Sequence, residues 1–149
     1  MIYDIPLPSV ENPIDARFWD YAAKGELAVQ VCAGCDASRF PPQPYCPACQ
    51  SPEHQWHIAS GRGTIWSYVV PHAPLLPAFG EQLPYVVALV ELEDYSGLRM
   101  IGAITKSSEG NIQGVDGSQV NIGDSVRVIF QKMDDKTFLP RWIKIIDTI

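Results

Sequence analysis

The 149-residue sequence lacks three features that would have pointed to particular classes of protein. No run of about 18 or more apolar residues is present, so no transmembrane helix is predicted. The first residues, MIYDIPLPSVENP, contain neither a basic nor an apolar segment, so no signal peptide is predicted and we expect a cytoplasmic protein. The 11 basic residues are scattered and outnumbered by 17 acidic ones, and the net charge of −6 argues against a nucleic-acid partner.

The sequence is also poor in residues that could catalyse a reaction without a partner. It has no Gly-x-Ser-x-Gly, no Walker loop and no dinucleotide fingerprint. His54 and His57 are best interpreted as solvated loop residues. His72 is a candidate acid or base for a partner's substrate, although exposed polar surface is the simpler interpretation. We therefore expect the chain to be non-catalytic by itself.

Every cysteine lies in one short stretch, as two Cys-x-x-Cys pairs: Cys32 with Cys35, and Cys46 with Cys49. Two such pairs joined by a turn-rich loop are typical of a tetrahedral zinc site. Two disulfides would need an oxidising compartment, and an iron–sulfur cluster has no other support in the sequence. Because four protein ligands leave no open position for water, we predict structural zinc, and no cysteine remains as a nucleophile.

An arm and a short helix precede the cysteines. Residues 1–12 are predicted to be an extended apolar arm, because prolines prevent an early helix, and the arm would pack equally well on the chain's own zinc ribbon or on a partner. A helix is predicted from the N-cap Asn12 to Gly25, which suits a left-handed C-terminal cap. Its aromatic residues face either the chain's own core or a partner: Phe18, Trp19 and Tyr21.

After the cysteines the sequence indicates short strands separated by turns. Alternating or β-branched runs predict strands at 63–70, 85–92, 98–104, 125–131 and about 139–146, with one more at 26–31. The run at 85–92 is apolar enough to be buried on both faces. Five strands in so small a domain predict a mainly β fold with a closed antiparallel barrel, most simply an OB-fold.

A long apolar loop at 71–84 interrupts the strands and is too rich in proline to be one itself. Leu75, Leu76 and Phe79 would be costly to leave in water. A loop of this length in a compact domain is usually functional, so we interpret it as a binding lip, with covering of the core as the alternative.

The order of these features resembles one family. The features that carry the resemblance are Phe-Trp at 18–19, Lys-Gly-Glu-Leu at 24–27, the two cysteine pairs flanking Arg-Phe-Pro-Pro at 39–42, Trp56, Ser-Gly-Arg-Gly-Thr-Ile at 60–65, and the runs at 84–92, 122–126 and 139–142. Together they resemble the zinc-ribbon/OB-fold family that was long called a domain of unknown function and is associated with thiolase-like enzymes.

The resemblance implies a fold and a role. The fold has an arm and helix at 1–25, a rubredoxin-like zinc ribbon at 26–58 and a five-stranded OB-fold barrel at 59–149. The role is that of a small subunit that binds a thiolase-superfamily protein, such as a thiolase, an acyltransferase or an aldolase, in a heterotetramer. The zinc is structural, and a coenzyme A thioester (acyl-CoA) is a substrate shared with the partner.

One position departs from the family pattern. Gln43 stands where the family often has a basic residue, so Arg39 and Arg62 become the nearest candidates for a phosphate of coenzyme A. The candidate substrate-binding residues are Arg39, Phe40, Arg62, His72, Leu75, Leu76 and Phe79.

Two other functions stay open. OB-folds bind single-stranded nucleic acids through stacking aromatic residues, and Trp66 and Tyr68 are present, but the basic groove is missing. A purely structural interaction protein without any contact to coenzyme A is the other alternative, which the sequence separates poorly from an auxiliary subunit.

Overall fold

The computed structural model describes residues 5–146. Its helices are α1 (Ala16–Ala23) and α2 (Pro77–Gly80). Its strands are β1 (Ala28–Cys32), β2 (Ser38–Arg39), β3 (His54–Ile58), β4 (Arg62–Val69), β5 (Val87–Leu92), β6 (Arg99–Thr105), β7 (Ser125–Lys132) and β8 (Phe138–Lys144). Within these residues no helix is long and apolar enough to cross a lipid bilayer.

Helix α1 begins one turn later than the sequence predicts. Asn12 closes a preceding turn, because its side-chain oxygen accepts from the Ile14 N–H at 3.0 Å and its carbonyl from the Ala16 N–H at 2.8 Å. Gly25 follows the helix with φ of +78°, the left-handed conformation expected for this glycine. The helix buries Phe18 and Ala22, which lie on one face.

The ribbon contains a three-stranded antiparallel sheet in the order β2–β1–β3. Gln30 lies in the middle of β1, opposite Arg39 on β2 and Trp56 on β3. Every residue of β1 is buried, since the strand has a neighbour on each edge and α1 packs against it. Cys32 ends this strand, so the sheet holds the first cysteine pair in place.

The other five strands form the predicted closed barrel, in the order β4–β5–β6–β8–β7. β4 and β7 close it where Gly63 lies opposite Val126. The expectation of a wholly antiparallel barrel was wrong at one pair, because β6 and β8 run parallel with Ile104 opposite Trp142. The long connection after β6 leads to β7 beside β4, and β8 then returns between β7 and β6. β8 is therefore antiparallel to β7 and parallel to β6.

One core joins the helix, the ribbon and the barrel. Phe18 of α1, Val29 of β1 and Ile65 of β4 belong to a single cluster of buried side chains. Trp142, with 0% exposure, is the largest fully buried side chain of the cluster and lies inside the barrel. The ribbon is therefore packed onto the barrel through shared apolar contacts.

Two expectations for the barrel strands were wrong. The run at 85–92 is not fully buried on both faces, because Ala88 and Val90 are buried while Leu89 is only half-buried, as is common for an antiparallel strand with one partly solvated face. The alternation predicted for 63–70 breaks at a bulge, where Ile65 and Ser67 pair with consecutive residues of β5. The extra residue, Trp66, is 47% exposed.

The described part of the arm contacts the chain's own barrel, whereas contact with the zinc ribbon or with a partner was expected from the sequence. Residues 1–4, including the predicted apolar Ile2 and Tyr3, lie outside the described residues. Ile5 lines a cleft on the barrel wall, and Glu11 forms an ion pair of 3.2 Å with Lys136.

Candidate functional site

The four cysteines form one cluster at the end of the ribbon sheet. Their Sγ atoms all lie within 4.8 Å of one another. The sulfurs of Cys32 and Cys49 are 3.5 Å apart, and those of Cys35 and Cys46 are 3.6 Å apart. A tetrahedral zinc ion with Zn–S bonds of about 2.3 Å separates its sulfur ligands by about 3.8 Å, so the cluster has the size of a zinc site.

The two Cys-x-x-Cys turns repeat one backbone structure. In each turn the first sulfur accepts a hydrogen bond from the N–H two residues later: Gly34 N to Cys32 Sγ at 3.3 Å, and Ala48 N to Cys46 Sγ at 3.4 Å. The residue after each turn is left-handed: Asp36 with φ of +63° and Gln50 with φ of +66°. N–H groups that point at sulfur favour the thiolate, which is the form that binds metal.

Backbone donors and crowding separate the pKa values of the thiols. The Cys35 N–H is the main cause that lowers the pKa of Cys32 to about 6, and the Cys49 N–H lowers the pKa of Cys46. The Ala37 N–H lowers the pKa of Cys35, but hydrogen bonding to the thiols of Cys49 and Cys46, together with burial, raises it to about 12. Four thiolates this close need a cation between them, which zinc supplies.

The donor set fits structural zinc. Four sulfurs complete a tetrahedron and leave no position for water or substrate. Cys32 and Cys46 are buried while Cys35 and Cys49 are exposed, so the ion would sit at the surface of the ribbon. Two of the histidines, His54 and His57, are exposed as predicted, but they lie on β3 rather than in a loop and outside the cluster.

Arg39 is buried inside the ribbon and forms hydrogen bonds there. Its side chain is only 3% exposed, and its Nε donates to Gln30 Oε1 at 3.0 Å while its Nη2 donates to the Gln43 carbonyl at 3.1 Å. The Gln43 N–H donates to the same Gln30 oxygen at 2.8 Å. The arginine proposed from sequence for coenzyme A is thus engaged in the ribbon, and its contact with a ligand stays a prediction.

The aromatic residues proposed for a partner interface divide between core and surface. Phe18 is buried at 4% exposure and packs against Phe40 with ring centroids 5.5 Å apart. Trp19 lies edge-on to Phe18 at 5.0 Å and is partly buried against the same core. Tyr21 is half-buried beside Trp56, with the two ring centroids 6.4 Å apart. Of the three predicted interface residues, Tyr21 alone neither belongs to the core cluster nor packs against it.

The loop at 71–84 folds partly back onto the barrel. Leu75 and Phe79 pack against a small cluster on the barrel wall formed by Tyr85, Ala103 and Ile112. Leu76, in contrast, is 62% exposed, and His72 is exposed at the start of the loop. Leu75 and Phe79 therefore fit the interpretation that the loop covers the core, while Leu76 and His72 fit that of a binding lip. The role of the loop in binding stays a prediction.

Arg62 lies apart from this loop's packing cluster. Its Nε is 3.5 Å from Glu93 Oε2, and both side chains are more than half exposed. An exposed ion pair of this kind holds its partners weakly, so the guanidinium is available to an anion.

A cleft on the barrel wall had no counterpart in the sequence analysis. Its volume is about 480 Å³, and its lining includes Phe79 from the loop, Ile101 from β6 and Arg141 from β8. Arg141 lies between Ala103 and Ile129 of the flanking strands. No motif marks this site, because the closure of the barrel brings β8 beside β6.

The fold and the cysteine cluster together define a zinc-ribbon protein with a C-terminal OB-fold barrel. Residues 19–55 match the family described as "ChsH2, rubredoxin-like zinc ribbon domain", and residues 56–131 match "ChsH2, C-terminal OB-fold domain". The chain belongs to this ChsH2 (DUF35) family, in agreement with the resemblance seen in the sequence.

Three relatives illustrate the range of the family. The chain is 38% identical to a "Probable enoyl-CoA hydratase alpha subunit" of Thermomonospora curvata, over 91% of this chain and 38% of the relative. It is 40% identical to the "3-oxo-4,17-pregnadiene-20-carboxyl-CoA hydratase alpha subunit" of Mycobacterium tuberculosis, over 80% and 34%. The chain thus spans little more than a third of these two relatives. A "DUF35 domain-containing scaffold protein" of Methanocaldococcus jannaschii is 32% identical over 80% of this chain and 78% of that protein.

A solved structure matches the whole architecture. A chain of the "Ltp2-ChsH2(DUF35) aldolase" superposes with a TM-score of 0.77 and 32% identity, over 93% of this chain and 100% of that chain. The zinc ribbon and the barrel are thus matched together in one solved chain.

Proposed function

We propose that this chain is a non-catalytic subunit of an enzyme complex that acts on acyl-CoA, and that its partner is a thiolase-superfamily enzyme. The observation that carries the proposal is the match to the ChsH2(DUF35) chain of an aldolase complex over 93% of this chain. The chemistry of the chain agrees with it, because its four thiols are committed to a site without an open ligand position. The partner then supplies the catalytic residues.

A hydratase is the second candidate for the partner. Two relatives are named as hydratase alpha subunits, and in both cases this chain corresponds to little more than a third of the relative. Both candidate partners act on thioesters of coenzyme A. The class of partner, rather than the substrate class, is therefore the first point to test.

We assign the contribution of this chain to the acyl-CoA to the exposed part of the loop at 71–84. Leu76 offers apolar surface at 62% exposure, and His72 lies nearby in sequence with its side chain toward solvent. An acyl chain is apolar, and a pantetheine arm is long and thin with a few polar groups, so either would lie against such a lip. Arg62 is an exposed cation for a phosphate.

Capture of the tagged full chain from its source cells, with mass spectrometry of what is recovered, tests the partner. A thiolase-superfamily protein in near-equal amount, in a complex whose mass corresponds to a heterotetramer by light scattering, is the expected result. Recovery of a hydratase alone would replace the first candidate by the second. Recovery of nucleic acid that is lost at high salt would overturn both.

Variants of the reconstituted complex test the role of the loop. Leu76→Ser is expected to raise KM for the acyl-CoA several-fold while zinc content and complex mass stay the same. Ile122→Ser is the matched control, since Ile122 is similarly exposed, at 68%, and lies outside the loop. Equal kinetics for the two variants would contradict the proposed contact between Leu76 and the acyl-CoA.

A further inference from the structure

The cleft on the barrel wall has the size and composition of a ligand site. Its volume of about 480 Å³ lies within the range of about 300–1,000 Å³ typical of pockets for small molecules. Apolar side chains form most of its wall, including Phe79, Ile101 and Leu139. The polar residues Arg141, Gln131 and Asn111 also line it. Such a mixture accommodates an apolar body with one polar group.

Arg141 has no charged partner among residues 5–146, whose ion pairs all involve other residues. Its Nε donates to the neutral Gln131 Oε1 at 2.9 Å, which is the one hydrogen bond of its side chain within that part of the chain. Gln131 in turn donates from its Nε2 to Asn111 Oδ1 at 3.4 Å. The two terminal nitrogens of the guanidinium are thus available to an acceptor.

Partial burial of the Arg141 guanidinium costs free energy, because it removes a charged group from water. Burial lowers the pKa of Arg141 to about 10, so the side chain is still charged at neutral pH but is poorly solvated. A charge in this position is stabilised by an anion that forms two parallel hydrogen bonds, and a carboxylate has that geometry.

We propose that this cleft binds an amphipathic monocarboxylate, with its carboxylate on Arg141 and its apolar body along Phe79, Ile101 and Leu139. A single negative charge is required because Arg141 is the one basic residue among the residues that line the cleft. A group with several phosphates would find no second cation there, and the chain's net charge of −6 opposes it further. An uncharged apolar molecule would leave the guanidinium unsolvated.

This proposal goes beyond the auxiliary role, since it needs neither coenzyme A nor a partner. Calorimetric titration of the purified, zinc-loaded full chain tests it, with octanoate as the probe and octylammonium and 1-octanol as matched cationic and neutral probes. Octanoate is expected to bind saturably and with at least roughly tenfold higher affinity than either analogue, since hydrogen bonds between charged groups are among the stronger ones in proteins.

Substitutions separate the proposed contact from a structural one. Arg141→Gln is expected to weaken octanoate roughly tenfold or more without lowering Tm, because it removes a poorly solvated charge. Arg127→Gln is the control, as this exposed arginine of β7 lies outside the cleft. Ile101→Glu places a like charge at a side chain that is 65% exposed, so it should weaken octanoate without affecting folding.

Three results would overturn the proposal. Equal affinity for octanoate and octylammonium would remove the role of charge. Binding only after removal of residues 1–6 would show that the arm fills the cleft in the full chain. The third result has two parts: the unmodified chain does not bind octanoate, and the Arg141→Gln variant no longer binds the partner protein. It would assign Arg141 to a protein interface while leaving the auxiliary role intact.

Discussion

The ribbon and the barrel are stabilised in different ways. The ribbon has a small sheet whose loops converge on four thiols within 4.8 Å of one another. The barrel has no such cluster within residues 5–146, and its strands close around Trp142 and other fully buried side chains. A small region that is poor in apolar residues needs a metal to hold it, whereas a closed barrel of alternating strands builds its own core.

The two regions are nevertheless joined. Leu27 and Val29 of the ribbon belong to the same buried cluster as Ile65 and Val90 of the barrel. The comparison therefore predicts that metal loss affects the ribbon first and the barrel second, while damage to the barrel core leaves the metal site able to form.

The largest effect is expected from removal of the metal. Cys32→Ser leaves three thiolates, and structural zinc contributes on the order of 10 kcal/mol to the folding of small zinc domains. We expect zinc content to fall well below about one ion per chain, since three thiolates bind zinc more weakly than the four of a complete structural site. Hydrogen exchange should show loss of protection in β1–β3 and persistence in β4–β8.

Ala48→Ser is the control for that experiment, because it alters the second cysteine turn but keeps the N–H that donates to Cys46 Sγ. The Ala48→Ser variant should retain zinc. Full zinc content in Cys32→Ser would contradict the four-thiolate site. Simultaneous loss of hydrogen-exchange protection in all strands would show that the barrel does not stay folded without the ribbon.

The next effect is expected from the centre of the barrel. Trp142→Ala removes a side chain with 0% exposure, and truncation of buried aromatic residues costs about 3–5 kcal/mol of unfolding free energy. The indole N–H has no hydrogen-bond partner among the described residues, so the loss is one of packing. Denaturant unfolding measures it, and zinc content should stay at about one ion per chain.

Trp66→Ala removes the same side chain at 47% exposure and serves as the matched control. Its stacking with Arg99, at 3.9 Å from the guanidinium carbon to the ring centre, contributes at most about 1 kcal/mol. If the two tryptophan variants lost equal stability, the barrel core would not be the main source of the barrel's stability.

A smaller effect is expected where two strands of the barrel approach closely. A methyl group on Gly63 would lie 2.5 Å from Val90 Cγ1 and 2.6 Å from the backbone oxygen of Glu91. The Glu91 oxygen belongs to the backbone, so it cannot move aside as the end of a flexible side chain can. Gly63→Ala should therefore lower the unfolding free energy by about 1–3 kcal/mol. Gly80→Ala, where nothing lies within 4 Å, should not destabilise the chain, and similar thermal midpoints for both variants would contradict this reading of the barrel.

The smallest effect concerns pH. Hydrogen bonds from the Lys136 and Thr137 N–H groups lower the pKa of Asp134 in the turn between β7 and β8. A carboxyl group whose pKa is lower in the folded state stabilises the fold above its unfolded value of 3.8, and that contribution is lost as pH falls through the folded pKa. Asp134→Asn should flatten the acid side of the stability profile, as measured by thermal midpoints across pH. An unchanged profile would show that the turn contributes nothing to acid stability.

Much of the fold could be predicted because its signals are local. The spacing of the cysteines specified four candidate ligands whose geometry fits zinc, and turn residues with alternating runs placed all five barrel strands within two residues of the observed bounds. The failures were also local in cause. Asn12 suits both a helix cap and a turn, and an apolar run such as 85–92 does not reveal whether its outer face is covered.

The candidate binding residues were less predictable, since residue type does not reveal exposure. Arg39 and Arg62 read alike in sequence, yet one is bonded inside the ribbon and the other lies at the surface beside Glu93. Leu75 and Leu76 are adjacent, yet the first packs on the barrel and the second is exposed.

The sequence by itself determined the four thiol ligands, the strands and the family. The ligands and strands depend on residues close together along the chain, and the family depends on the order of short motifs. Only the tertiary structure decided which arginines meet solvent and where a cleft forms. Arg141 and Phe79 line one cavity although 62 positions separate them in the sequence. Their proximity follows from the closure of the barrel and the folding of the loop onto its wall, which no local pattern encodes.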